Sequence, residues 1–179
     1  ATSDSGLALS VPYYWDIAPN MDATITPREM TKRGLQLGTE FRYLNQAYGG
    51  QYRGQARVEV LPGDQLRNED RYGISLTHTQ TTANGFSGLI NYNKVSDDKY
   101  FTDLSSHIAA ISQTQLLQQA QITYAGGGWW SATANFQKYQ TLQPDAENLV
   151  SEQYSMLPQI TFNARKPDLF MTDSSFMGQ

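Results

Sequence analysis

The sequence predicts an all-β fold: a segment of an antiparallel transmembrane β-barrel, with about ten strands. Three features point to it. Apolar and polar residues alternate with period two along one stretch after another, the pattern of a strand with two unlike faces. The polar set is mostly Gln, Asn, Ser and Thr, whereas the outer face of a soluble sandwich is rich in Lys and Glu. Aromatic rings also gather near the predicted strand ends, as an interfacial girdle requires.

The first element is a hairpin. Leu7, Leu9, Val11, Tyr13, Trp15 and Ile17 alternate with Ala8, Ser10, Pro12, Tyr14 and Asp16; after Ala18-Pro19-Asn20, Ala23 and Ile25 alternate with Asp22, Thr24 and Thr26. Pro19 suits a turn. Pro12 and Pro27 lie inside the arms, and proline has no N–H to give to a ladder, so both weaken the pairing of whatever strand lies beside them.

The later strands follow the same rule. Leu35, Leu37, Thr39, Phe41 and Tyr43 oppose Gln36, Gly38, Glu40 and Arg42, then Ala56, Val58 and Val60 oppose Gln55, Arg57 and Glu59. Tyr72, Ile74 and Leu76 oppose Arg71, Ser75 and Thr77, and Phe86, Ile90 and Tyr92 oppose Ser87, Asn91 and Asn93. In the second half, Ala120, Ile122 and Tyr124 oppose Gln119, Gln121 and Thr123; Trp130, Ala132, Ala134 and Phe136 oppose Ser131, Thr133, Asn135 and Gln137; Ile160 and Phe162 oppose Gln159, Thr161 and Asn163. Each strand is expected to run about 9 to 11 residues, the length of a spanning strand, with the last beginning near Leu169. Connections at Pro19-Asn20, Thr31 to Gly34 and Gly126 to Gly128 are short; Asp97 to Gln113 and Leu142 to Gln153 are long, and Tyr100 to Ala110 reads as a short helix or compact loop.

Composition agrees. Hydrophobic residues reach only 39% while aromatics reach 12% with 11 Tyr, which suits half-apolar strands better than a globular core. No apolar run approaches the roughly 18 residues of a spanning helix, and a mean hydropathy of -0.53 is compatible with barrel strands, whose lipid-facing residues are diluted by the alternate polar ones. A net charge of -4, with 13 Lys and Arg scattered and no basic run, argues against a nucleic-acid partner. No cysteine is present, so there is no disulfide or thiolate site. The start, ATSDSG, carries no signal-peptide pattern: either one has been removed or the chain is an internal piece of a longer protein, and the expectation is the second.

No catalytic, cofactor or metal site is expected. His78 and His107 lie on different elements without the spacing of a metal site, and read as surface or loop residues. Asp97, Asp98 and Asp103 lack the calcium-loop spacing and its glycine, and read as a solvated acidic loop. Gly126-Gly127-Gly128 has no following Lys-Ser or Lys-Thr and reads as a hairpin turn; Gly85-Phe86-Ser87-Gly88 lacks the nucleophile-elbow pattern. Glu40 and Glu59 fall on one side of neighbouring strands and read as two charges lining the polar face.

The run LSVPYYWDIAPNMDATITPREMTKRGLQLGTEFRYL closely resembles the start of the barrel domain of the lipopolysaccharide-assembly outer-membrane proteins, LptD, and NYNKVSDDKYFTDLSS at Asn91 to Ser106 resembles the same family. The resemblance implies that residues 1–179 are the N-terminal portion of a larger barrel domain in the bacterial outer membrane, outside which lie an upstream jelly-roll domain and the later strands. It implies lipopolysaccharide as transported substrate, an LptE-like plug lipoprotein in the lumen, outer-membrane lipid around the wall, and a periplasmic transport bridge reached through the N-terminal domain. Family disulfides join that domain to the far end of the barrel; this segment contributes none. Pro12 and Pro27 are then expected to mark one side of a lateral gate. The longer connections follow even-numbered strands, which by the short-periplasmic-turn rule would start the first strand outside; the resemblance feeds it from the periplasm, and the expectation follows the resemblance. Two other classes share the alternation: a general porin or receptor barrel, which gives no reason for the two prolines, and a soluble β-sandwich binding module, in which the rings form an ordinary core.

Overall fold

Period-two alternation drives the chain into one antiparallel meander. The computed structural model describes residues 5–108, 112, 114–152 and 156–165. Its strands are β1 (Ala8–Ser10), β2 (Tyr13–Ala18), β3 (Met21–Met30), β4 (Gly34–Ala47), β5 (Gly50–Asp64), β6 (Glu69–Thr81), β7 (Phe86–Val95), β8 (Gln115–Tyr124), β9 (Trp130–Thr141) and β10 (Met156–Ala164), with a one-turn helix α1 (Tyr100–Asp103) between β7 and β8. They form a single 10-stranded sheet in which β1 and β2 both pair with β3 and each later strand pairs with the next. The strand expected near Leu169 lies outside the described residues. Ten is reached because the first arm divides in two.

That division has a chemical cause. Ser10 faces Arg28 and Tyr13 faces Ile25 in one unbroken register, and the Val11 N–H donates to the Pro27 carbonyl at 3.2 Å. Pro27 has no N–H to return the bond, so the ladder lapses for two residues while the arm continues. The strands β4, β5 and β6, at 14, 15 and 13 residues, exceed the expected length.

The register sorts the side chains onto the two expected faces. One carries rows such as Trp15, Ala23, Phe41, Ala56, Leu76 and Tyr92. Many of its large residues are bare, with Leu9 at 70%, Ile122 at 58% and Ile160 at 77% exposure. An apolar side chain left in water forgoes about 1.5 to 3 kcal/mol. More than a dozen such residues, partly or largely exposed, share this one face, a contiguous apolar surface of the kind that marks contact with another apolar phase or partner. The face therefore needs an apolar surrounding, and the described strands supply no second sheet to cover it. At the end of the sheet that holds the short turns, Tyr43, Tyr52 and His78 cluster on this face, as do Phe86, Tyr124, Trp130 and Phe162.

The buried core lies at the opposite end. Met30, Leu61, Val95, Tyr100, Leu104, Ile108, Leu116 and Leu142 form it. Residues 96–108, from the β7–β8 connection, fold back as a strap over the polar face. A Cβ at Gly73 would lie 2.8 Å from Ile108 Cγ1 and 3.1 Å from the Tyr100 hydroxyl, so glycine at that position lets the strap sit down. Beneath it the β7–β8 ladder ends at Tyr92 and Gln118, and side chains replace it: Gln118 Nε2 donates to the Asn93 carbonyl at 3.0 Å, while the Gln140 amide bonds both Val95 N–H and Val95 C=O, at 3.0 and 2.8 Å. Among the described residues no helix is long and apolar enough to cross a membrane, which says nothing of strands.

Candidate functional site: the proline edge and the strapped polar face

In an antiparallel strand each residue turns its N–H and C=O to the same side, and neighbours in sequence turn to opposite sides. The Val11-to-Pro27 bond shows that odd residues of the first arm face β3. Even residues, Pro12 among them, therefore face the free edge of the sheet. Likewise the Leu44 N–H donates to the Asn20 carbonyl at 2.9 Å, so even residues of β3 face β4 and Pro27 faces the first arm. The two prolines are not equivalent. Pro12 removes a donor from the open edge, whereas Pro27 removes one from inside the hairpin, a difference that proline spacing alone could not reveal. Their rings also diverge: Pro12 shares the polar side of the arm with Ser10 and Tyr14, and Pro27 shares the apolar side with Leu37.

The strap is held by charge. Arg71, whose side chain has no exposure, donates from Nε and NH2 to Asp97 at 3.0 and 2.8 Å and from NH1 to Asp64 and Asp103, both at 3.1 Å. Arg33 closes the network on Asp64 at 2.7 Å, and Arg67 adds contacts to Asp97 at 3.1 Å and Asp103 at 3.4 Å. Asp64 also accepts the Leu66 N–H, and Asp97 the Ser96 hydroxyl and Lys99 N–H. Three cations thus meet three carboxylates, the arrangement under which ion pairs survive burial. The acidic-loop reading is corrected accordingly: Asp98 is exposed, but Asp97 and Asp103 tie the strap to β6.

Glu59 is corrected as well. It is 2% exposed beneath the strap, where it accepts the Tyr100 hydroxyl at 3.1 Å, the Ser106 hydroxyl and Arg57 NH2 at 3.0 Å. Glu40 remains on the open polar face, with Arg57 bridging the two carboxylates. Burial pushes the Tyr100 phenol above its ordinary value, and the Glu59 charge and hydrogen bond push it further, so the hydroxyl stays a donor. His78 is not a loop residue: it is half-buried on β6, on the apolar face, bonded to the Tyr43 hydroxyl. His107 is exposed on the strap and borders a polar cavity of about 330 Å³ shared with Ser10, Thr26, Arg28, Gln36 and Arg57. Arg28 donates to the Ser105 carbonyl at 3.3 Å, linking strap to hairpin. Gly126 to Gly128 lie in the β8–β9 turn, as expected. Among the described residues no three His, Cys, Asp or Glu side chains gather as metal ligands.

The network predicts an acid response. Burial alone would raise Asp97, but hydrogen bonds from Arg71 and Ser96 and the charges of Arg71 and Arg67 outweigh it and hold the carboxyl below its ordinary value. A depressed carboxyl stabilises the fold above its unfolded value, about 3.9, and that contribution fades as pH falls through the folded value. Proteolysis within 96–108 should be unchanged around neutral pH and accelerate below about pH 4. Cleavage that is flat across that range would show that the ion pairs do not hold the strap.

Comparison with known proteins agrees with this architecture. Residues 69–179 match the family described as LptD, LPS transport system D. The chain is 48% identical over 169 residues to an LPS-assembly protein LptD of Azoarcus sp. (strain BH72), covering 94% of this chain and 20% of the relative. Against the LPS-assembly protein LptD of Nitrosomonas eutropha it is 42% identical over 176 residues, covering 96% and 24%. Against that of Paraburkholderia xenovorans (strain LB400) it is 49% identical over 146 residues, covering 80% and 18%. The chain thus spans between 18% and 24% of the length of these relatives.

Proposed function

This chain belongs to the LptD family of LPS-assembly proteins, and from that premise we propose that residues 1–179 form the N-terminal portion of a barrel domain that delivers lipopolysaccharide to the outer leaflet of the bacterial outer membrane. The polar face lines the lumen and meets an LptE-like plug, and the apolar face meets lipid. The segment works as wall and gate and carries out no catalysis. An upstream periplasmic domain feeds the first arm from the end of the sheet where β1 begins. The first arm forms one side of a lateral gate.

The observation that carries the gate is the side to which Pro12 turns. A spanning strand pair makes about ten ladder bonds, and an unpaired group in hydrocarbon costs several kcal/mol, so a fully bonded seam stays shut. At Pro12 the first arm offers its outer neighbour no N–H, and that step of the seam starts open. Pro27 loosens the hairpin behind it.

In the full-length protein, Pro12→Ala restores a donor at the seam and should reduce surface lipopolysaccharide at unchanged barrel level with the plug bound. Pro27→Ala restores a bond within the hairpin only and should have the smaller effect; the double variant should be the most impaired. Normal surface delivery by Pro12→Ala and by the double variant, in well-assembled barrels, would leave the prolines as devices that discourage edge pairing before closure.

A further inference from the structure

On the apolar face, away from the proline edge, the register sets a small residue between two large ones: Ala120 on β8 lies between Ile90 on β7 and Phe136 on β9. One row nearer the strap end, Gln118 lies between Tyr92 and Lys138. These residues bound a groove of about 380 Å³. Lys138 is exposed at one end of it, and Lys94 projects from the same face on β7, beside Tyr92 in the alternation. Neither lysine has an ion-pair partner among the described residues. A similar small-between-large step occurs where Ala56 lies between Phe41 and Leu76, but there the next position towards the strap end is Val58, flanked by Thr39 and Ile74, and the first cation in that row, Lys94, lies one strand further on.

We propose that the groove over Ala120 is a specific site for one anionic glycerophospholipid of the phosphatidylglycerol class. An acyl chain lies on Ala120 between Ile90 and Phe136, and the phosphate meets Lys138, with Lys94 adding to the local positive potential. The groove supplies apolar contact to the chain, and an unpaired ammonium at the border of an apolar belt attracts a headgroup anion. The proposal rests on the preceding reading in two respects: the apolar face meets lipid, and the strap end lies in the periplasmic leaflet, which holds glycerophospholipid.

The test uses the full-length protein with its plug, purified in detergent and titrated with phosphatidylglycerol or phosphatidylethanolamine while native mass spectra count retained lipids. One phosphatidylglycerol should be retained in preference to phosphatidylethanolamine. Lys138→Gln should weaken that retention about fivefold, Ala120→Trp should abolish it by filling the groove, and Ala56→Trp should leave it unchanged. Should Ala120→Trp not assemble, Lys138→Gln decides alone. Undiminished retention by Lys138→Gln, equal retention of the two lipids, or lipopolysaccharide held in place of phosphatidylglycerol would each overturn the proposal. Failure of the membrane reading looks different: the protein would stay monodisperse without detergent and retain no lipid of either kind.

Discussion

Replacing Arg71 with methionine is expected to destabilise the folded barrel by about 3 to 5 kcal/mol and to release the strap from the polar face. The guanidinium contacts Asp64, Asp97 and Asp103 with none of its side chain in solvent. Its removal leaves Arg33, among the described residues, as the one cation paired with Asp64, and the half-buried Arg67 as the one cation paired with Asp97 and Asp103. Methionine keeps an unbranched apolar stem, so the loss reports charge rather than a large cavity. Arg67→Met is the matched control: its side chain is 30% exposed, and it should cost no more than about 1 kcal/mol. The readouts are the temperature at which the full-length protein loses its folded electrophoretic form and the rate of proteolysis within 96–108. Equal behaviour of the two variants would show that Arg71 is not the anchor.

The anchor matters because of where the strap lies. Ser105 and His107 share a cavity wall with Ala8 and Ser10, and Arg28 reaches from β3 to the Ser105 carbonyl. The strap therefore braces the polar side of the hairpin whose free edge carries Pro12. A loosened strap should affect the first arm before it affects the splayed end of β7 and β8, which the Gln118 and Gln140 side chains hold independently through bonds to Asn93 and Val95.

Most of the sheet was legible because period two is a local property: the side of a strand on which Ile74 or Asn91 falls follows from its neighbours in sequence. The proline hairpin was legible for the same reason. The charge network was not. Asp64, Arg71 and Asp97 come together only after β5 and β6 have paired and the connection after β7 has folded back, so three aspartates on a polar loop gave no sign of their partners. The signal available was weak: an arginine at the polar register position nearest a strand end, level with Leu61. Glu59 was misplaced for a related reason, since alternation gives its face but not what covers that face. Loop length was also no guide to where the connection after β7 lies. The turn rule treats a long connection as one that projects into solvent, whereas residues 96–108 lie against the sheet and their length serves packing.

The alternation itself supports the sharpest test of which face meets lipid. Ile90 and Asn91 are neighbours in the middle of β7, so an arginine at either position meets the same strand and nearly the same depth, but opposite faces. Ile90→Arg should carry a cost that grows with the depth of the site, up to about 2 to 4 kcal/mol at the bilayer midplane, because the guanidinium must enter hydrocarbon or drag water after it. Asn91→Arg gives up one hydrogen bond, accepted from Asn93 Nδ2 at 2.9 Å, and places its charge on the polar face. Its expected cost is about 0.5 to 1.5 kcal/mol. The pair Ala134→Arg and Asn135→Arg repeats the comparison on β9, where Asn135 accepts a bond from Gln119 Nε2 at 3.0 Å. Folding into lipid vesicles, read by protease protection and heat-modifiable mobility of the full-length protein, should separate the members of each pair in the same direction. Equal losses at Ile90 and Asn91, or a larger loss at Asn91, would mean that the exposed apolar face is covered by protein rather than by lipid.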